Sequence, residues 1–468
     1  MRWSEDALYA RFLRRDPDDN GKFLTGVVTT GIYCLPSCPA RRPNRENVRF
    51  FKSPDEARSS GLRPCRRCRP DSFYRGEEWR EHLYEQTVER ASREPASFTD
   101  VTQLAATAGL SKSSLTDLFR LHGHESPATF LRRIRIARAC DLLRGGAKPI
   151  DAAQAAGFES SSAFHEQFVA RTGLTPAAYA ALRTQFTLRL PLGYRRREVL
   201  DFYGRDPQSV SESVDGSALR KCVLIQNEAA LIQIDFAEGS ARCAVDCNPY
   251  DGHRAALRIL GLDSDAAGFE RQFADDALLG SIITRQKGLR IPMTPEPWEA
   301  LAWAIIGQQI SLKFAVAMRR ALIAATGALH GSGLRAHPSA EAVAKLDVEM
   351  LRGLRFSGSK AEYLLGAARA VQSGDLLLGS MRNLSATHAA RKLSAIRGIG
   401  PWTVQYAFLR GIGFADCLPS GDAGLAQGLG RMRESRPSEP EIREIMARFS
   451  PWRSLATYHV WASLKGDC

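Results

Sequence analysis

The 468-residue chain has no apolar run long enough to cross a bilayer. Its best candidate, Leu301 to Met318, is cut by Gln308, Gln309 and Lys313, short of the roughly 18–20 residues a span needs. The opening MRWSEDALYARFLRRD lacks the apolar core of a secretion signal. A cytoplasmic protein with no membrane partner is therefore expected. Low-complexity runs are missing too, and 44% hydrophobic residues exclude a disordered chain. Acidic residues are outnumbered, 51 Asp+Glu against 64 Lys+Arg, for a net charge of +13. The surplus sits toward the two ends, and the balance points to a polyanionic partner. Disulfides are not expected, so the ten Cys read as ligands, nucleophiles or core residues. At roughly 150 residues per domain, the length allows about three domains.

What is present changes texture along the chain. Residues 1–78 are Pro- and Arg-rich, residues 80–184 read as capped helices, residues 186–290 carry strand patterns, and residues 291–468 are mostly helical. The expected fold class is multidomain α+β. Its parts are a small zinc domain, an all-α double helix-turn-helix domain, a β-rich subdomain and a helical domain.

Cys34-x-x-x-Cys38 and Cys65-x-x-Cys68 are two close pairs on Pro-containing turns. That is the spacing of a four-thiolate zinc site, with free thiols as the alternative. Zinc would stabilise a segment too small for a sufficient core of its own. Arg41, Arg42, Arg45, Arg63, Arg66, Arg67 and Arg69 surround the pairs in sequence. A thiolate near such charge is a potential nucleophile. Thr29-Thr-Gly-Ile-Tyr-Cys-Leu-Pro-Ser-Cys-Pro-Ala-Arg41, Arg45-Glu-Asn-Val-Arg-Phe-Phe51 and Leu62-Arg-Pro-Cys-Arg-Arg-Cys-Arg-Pro70 resemble the N-terminal domain of Ada alkylation-response proteins. The resemblance implies that Cys34 takes a methyl group irreversibly from a DNA methylphosphotriester. Cys38, Cys65 and Cys68 complete the zinc ligands, and Thr30 and Arg41 touch the DNA backbone. A zinc ion with four thiolates is formally −2, and methylation at Cys34 leaves −1, so affinity for DNA should rise.

In the middle, Val101–Ala108, Gly109, a Ser111 cap and Lys112–His122 read as a helix-turn-helix. Ile150–Ala156, Gly157-Phe158, a Ser160 cap and Ser161–Thr172 repeat it, with a long helix over Pro127–Leu143 between them. A plain helical bundle is the alternative. The pair resembles the AraC-type DNA-binding domain, with Gly157-Phe-Glu-Ser-Ser-Ser-Ala-Phe164 and Gly173-Leu-Thr-Pro-Ala-Ala-Tyr179 as landmarks. The reading helices are lightly charged: Lys112, Arg120 and His122 in one, His165 and Arg171 against Glu166 in the other.

Near the C-terminus, Gly398 and Gly400 flank one apolar residue between helical segments. Two such glycines let backbone N–H groups approach a phosphate, and they also suit an ordinary helix–helix turn. Leu418-Pro-Ser-Gly-Asp-Ala423 places Asp422 in a loop, where a helix cap is the simpler role. With Trp298-Glu-Ala-Leu-Ala-Trp-Ala-Ile-Ile-Gly-Gln-Gln-Ile-Ser311 and Ser450-Pro-Trp-Arg-Ser454, these segments resemble the AlkA-type helix-hairpin-helix DNA glycosylases over residues 186–468. The resemblance implies that Asp422 is the catalytic carboxylate and that Trp402, Tyr406 and Trp461 line the base pocket, with core packing as the alternative for the three rings. Trp402 stands where bifunctional members carry a nucleophilic Lys, so a monofunctional enzyme is implied. Ala423 replaces one pocket Tyr, and Gln308-Gln309 occupies the wedge position. No four-Cys iron–sulfur pattern follows the hairpin, and Cys417 and Cys468 cannot supply one. Cys243-x-x-x-Cys247 has no second pair and reads as core or turn. The Pro-Cys-His-Arg segment of O6-alkylguanine methyltransferases is absent.

Together these readings predict an alkylation-damage response protein. It excises alkylated purines such as 3-methyladenine from double-stranded DNA, accepts methyl on Cys34, and activates transcription as a monomer that engages RNA polymerase. The alternative is a non-enzymatic alkylation-sensing regulator whose C-terminal half only binds damage.

Overall fold

Short, mostly buried strands near the start of the chain build a small sheet. The computed structural model describes residues 3–76, 78–262, 264–433 and 435–465, and the chain divides into the units Met1–Leu83 and Tyr84–Cys468. In the first unit, Ser4 caps the helix Glu5–Arg14, whose Leu8 and Phe12 are buried. Strands β1 (Leu24–Val27), β2 (Ile32–Cys34), β3 (Val48–Phe51) and β4 (Arg63–Pro64) lie in the order β3-β1-β2-β4. β1 pairs antiparallel with β2 and β3, and β4 runs parallel to β2. Leu24, Tyr33, Leu35, Phe51 and Leu62 form the core. Gly26 is required there: a Cβ would lie 2.4 Å from Leu62 and 2.5 Å from Phe51.

The second unit begins with paired helices. Val101–Thr107 and Lys112–Gly123 form one helix-turn-helix, and Pro149–Ala155 and Ser161–Thr172 the other, on either side of Pro127–Arg144. Ser111 and Ser160 accept from the backbone N–H of Ser114 and Ala163, as N-caps do. Gly109 and Gly157 take positive φ at the turns. A Cβ on Gly157 would lie 2.8 Å from the Ala96 backbone. The expected helices are observed with ends shifted by a residue or so, as fraying termini allow.

β5 (Gln185–Arg189), β6 (Glu212–Asp215), β7 (Ala218–Ile225), β8 (Glu228–Ala237) and β9 (Ser240–Val245) form an antiparallel sheet, ordered β5-β9-β8-β7-β6. Within this expected strand region lies a helix, Arg196–Tyr203, which buries Val199, Phe202 and Tyr203 at helical spacing. The helices Pro249–Ile259, Ala266–Phe273 and Gly280–Arg285 follow the sheet. From Pro297 onward the chain is helical around Leu301, Ile305, Leu322, Leu364, Leu393 and Phe408. The architecture is the multidomain α+β one expected.

A buried ionic cluster ties sheet to helices. Lys221 Nζ lies 2.9 Å from Glu212 and 3.1 Å from Glu299, and Arg319 reaches both carboxylates at 2.7 Å. Burial alone would raise the Glu299 carboxyl, but Lys221 and Arg319 hold it down at about 2.

The helix-turn-helix elements pack on the helical C-terminal part. Glu85, on the helix Trp79–Arg93, accepts the backbone N–H of Ser385 at 2.9 Å and meets His388 Nδ1 at 2.8 Å. Ser385 is the N-cap of the helix Ala386–Ser394. His124 packs edge-on against Phe414, with ring centroids 5.2 Å apart. Buried Glu125 pairs with Arg133 at 2.8 Å and faces Arg382 at 3.9 Å.

Candidate functional site

β2 ends at Cys34, and the turn closed by Cys38 N–H to Leu35 O returns Cys38 beside it. The parallel pairing of β4 with β2 places Cys65 next to Tyr33, where its N–H donates to Tyr33 O. Cys68 follows in a turn closed by Arg69 N–H to Cys65 O. All four Sγ atoms lie within 4.8 Å of one another. Cys34, Cys38 and Cys65 are buried, and Leu35 N–H donates to Cys68 Sγ at 3.4 Å. Four convergent thiols with an N–H steadying one sulfur fit a tetrahedral zinc ion.

The surrounding arginines divide in two. Arg45 pairs with Glu5 at 2.9 Å, Arg42 donates to Pro36 O and lies 3.8 Å over the Phe12 ring, and Arg69 lies 4.3 Å over Trp79. Those three serve the domain's own packing. Arg41, Arg63, Arg66 and Arg67 remain exposed, as does Thr30, whose hydroxyl donates to Val27 O.

In the helix-turn-helix pair, Lys112, Arg120, His165 and Glu166 are exposed on the reading helices. His122 is not on that face. It is buried, 5.9 Å from the Tyr84 ring, because the C-terminal turn of its helix packs inward.

The second constellation draws on three distant segments. The helix Ala386–Ser394 leads into the glycine turn, and Gly400 is the N-cap of Pro401–Ala407. Gly398 takes φ +85, and a Cβ there would lie 2.1 Å from the Tyr363 ring. Gln308 Nε2 donates to Gly398 O and to Thr403 Oγ1, each at 2.9 Å, and so holds the turn to the next helix. Gln309 is exposed with φ +54. Sequence reasoning missed the role of Gln308 because its amide spans some ninety residues.

Asp422 Oδ1 accepts from Leu425 N–H at 2.8 Å, which is a helix cap, and from Trp461 Nε1 at 2.8 Å. Its Oδ2 accepts from Trp402 Nε1 at 3.0 Å. Tyr406 stacks on Trp402 with centroids 5.2 Å apart and lies 6.2 Å from Trp461. Asp422, Trp402, Tyr406 and Trp461 therefore meet in one place, partly or fully buried. The carboxylate is held by three neutral donors, with no cation among its hydrogen-bond partners. Such an anion in an aromatic setting is suited to a positive charge that develops during a reaction.

The remaining cysteines do other work. Cys417 is fully buried, donates to Phe414 O, and burial pushes its thiol up to about 12. Cys243 is buried in β9, and Cys468 lies outside the described residues.

Comparison with known proteins gives three family matches. Residues 7–71 match the metal binding domain of Ada, residues 104–181 a helix-turn-helix domain, and residues 302–453 the HhH-GPD superfamily base excision DNA repair proteins. A "Probable bifunctional transcriptional activator/DNA repair enzyme AlkA" of Mycobacterium tuberculosis is 29% identical over 98% of this chain and 96% of that protein. A DNA-3-methyladenine glycosylase of Bacillus subtilis is 33% identical over 59% of this chain and 96% of its own length. Among solved structures, the 3-methyladenine DNA-glycosylase of Archaeoglobus fulgidus superposes with a TM-score of 0.55 at 21% identity, covering 60% of this chain and 98% of that one. The three resemblances read from the sequence are borne out, and the four-cysteine cluster is a zinc site of the Ada type.

Proposed function

The chain belongs to the HhH-GPD superfamily of base excision DNA repair proteins, and on that premise we propose that it hydrolyses the N-glycosidic bond of alkylated purines in DNA through Asp422. The observation that carries this reading is the Asp422 carboxylate clamped between two indole N–H groups. A purine methylated at a ring nitrogen is already cationic and leaves without a general acid. As the C1′–N bond breaks, its electron pair goes to the base and the sugar becomes oxocarbenium-like. Asp422 stabilises that cation and orients the water that attacks C1′. Tyr406 with Trp402 and Trp461 forms an electron-rich wall for the flipped base. Trp402 offers no amine, so the enzyme is monofunctional and leaves the strand unbroken. Gly398 and Gly400 meet the DNA backbone. Gln308 is committed to the hairpin, which leaves Gln309 to fill the gap in the duplex.

The zinc domain has a second chemistry. The Cys34 sulfur attacks the methyl carbon of a methylphosphotriester, the S–C bond forms, and the O–C bond breaks. The electron pair stays on the phosphate oxygen as an ordinary diester anion. When bound to Cys34, Cys38, Cys65 and Cys68, zinc supplies the charge that keeps thiols deprotonated. Exposed Thr30 and Arg41 contact the backbone of the damaged strand. The thioether product makes this a single-use acceptor. The helix-turn-helix pair then binds promoter DNA as part of a monomeric activator in the cytoplasm and engages RNA polymerase.

The test is release of 3-methyladenine from methylated duplex DNA. Wild type releases free base and Asp422→Asn does not. Equal release by both overturns the role of Asp422. Mass spectrometry of the same reactions should show one added methyl on Cys34, absent in Cys34→Ser.

A further inference from the structure

The aromatic cluster around Asp422 extends to the helix Arg196–Tyr203. The Arg410 guanidinium lies 4.5 Å from the Phe202 ring and 5.7 Å from Trp461, and its Nη1 donates to Pro292 O at 2.7 Å. Arg205 shares the Phe202 ring with it, at 4.4 Å, and lies 4.1 Å from Trp303. Unlike Arg410, it makes no hydrogen bond or ion pair with any described residue. Burial lowers its pKa, and the first group to oppose that is Tyr406, the residue stacked on Trp402. A guanidinium carries five N–H donors in a fixed fork. Two ring faces steady its charge but accept none of those hydrogens in plane. Arg205 is half-buried and none of its nitrogens is sealed from solvent, so the fork is open to an acceptor from outside the chain.

We infer that Arg205 is a specificity-determining residue of the base pocket, donating to the exocyclic oxygen at C6 of a flipped guanine-type purine and disfavouring the C6 amino group of an adenine-type one. The inference rests on the glycosylase reading of Asp422. 7-Methylguanine presents an acceptor at C6, whereas 3-methyladenine turns N–H hydrogens toward the guanidinium hydrogens. Either base is cationic while attached to the sugar and neutral once it leaves. The repulsion from Arg205 is therefore relieved as the bond breaks. A hydrogen bond to the C6 oxygen strengthens at the same time, because the bonding electrons move onto the base.

The experiment uses the full chain and duplex DNA treated with a simple methylating agent, which carries both lesions. Single-turnover release of 7-methylguanine and 3-methyladenine is read from one reaction. Arg205→Met should lower the ratio of 7-methylguanine to 3-methyladenine release by about tenfold or more, and Arg205→Gln, which keeps a neutral donor, should recover part of it. Thermal melting of both variants identifies any loss that comes from misfolding, and the ratio is then read from Arg205→Gln. Equal loss of both bases, with a shallower salt dependence of DNA affinity, would make Arg205 a phosphate contact and overturn the inference. An unchanged ratio overturns it as well. If wild type releases neither base, the glycosylase reading fails and takes this inference with it.

Discussion

Asp422 caps a helix, one of the two roles that the sequence offered as alternatives, and the proposed catalytic role would use the same carboxylate. Its Oδ1 caps the helix Ala423–Arg433 through Leu425 N–H, and both oxygens accept indole N–H groups. Trp461→Phe keeps an aromatic ring and removes one donor. Single-turnover excision should fall roughly ten- to a hundredfold while affinity for abasic DNA changes little, since a donor to a charged group is worth about 1.5–3 kcal/mol. Combined with Asp422→Asn it should cost almost nothing further, because the pair acts as one unit. Residue types were legible at this scale: the carboxylate, the rings and the four thiols were all identifiable. Side-chain direction was not. Whether Trp402 and Trp461 face a base or a carboxylate depends on how residues 402, 422 and 461 meet, and no local pattern encodes that meeting. For the same reason, Arg42 and Arg45 looked like neighbours of the thiols yet serve Phe12 and Glu5.

Among the elements, the hairpin separates the two glycines by what each must avoid. Gly398→Ala meets both a positive φ and the Tyr363 ring at 2.1 Å, so it should lower the melting temperature and DNA affinity together. Gly400 has φ −85 and nothing within 4 Å of a built Cβ. Gly400→Ala should therefore melt like wild type and bind DNA more weakly, as gel shifts with abasic duplex would show. The Lys221–Glu212–Glu299–Arg319 cluster makes a different prediction. Lys221→Met leaves two buried carboxylates with one cation and should cost about 3–5 kcal/mol in denaturant unfolding. The Glu299 carboxyl is depressed in the folded chain, to about 2. Its stabilisation, roughly 3 kcal/mol, is present above the unfolded carboxyl value near 4.3 and is lost as pH falls through about 2. Glu299→Gln should flatten that part of the acid-unfolding curve. The capped helices of the middle region were legible because Ser111 and Ser160 announce them locally. The helix Arg196–Tyr203 was hidden among strands, since eight residues carry too few turns for a decisive period.

Across the whole molecule, the sequence indicated modules but not how they dock. Glu85 at the start of Ala386–Ser394, His124 on Phe414 and Glu125 facing Arg382 fix the helix-turn-helix elements to the part of the chain that carries the hairpin. Each contact joins residues some 250 to 300 positions apart, beyond the reach of periodicity or spacing. The amides of Lys112–Gly123 and Ala386–Ser394 should consequently exchange hydrogen in one cooperative transition, and Glu125→Ala should lower the protection of both helices. The central claim is that one chain carries out two alkylation chemistries at two sites, and it is tested by duplex DNA carrying radiolabelled methyl groups. After incubation with wild type, Asp422→Asn and Cys34→Ser, the label is divided into free base and protein-bound fractions. Wild type should give both, Asp422→Asn only label on Cys34, and Cys34→Ser only free base. Wild type that yields protein-bound label and no free base would contradict the account and leave a methyl sensor whose C-terminal half binds damage without excising it.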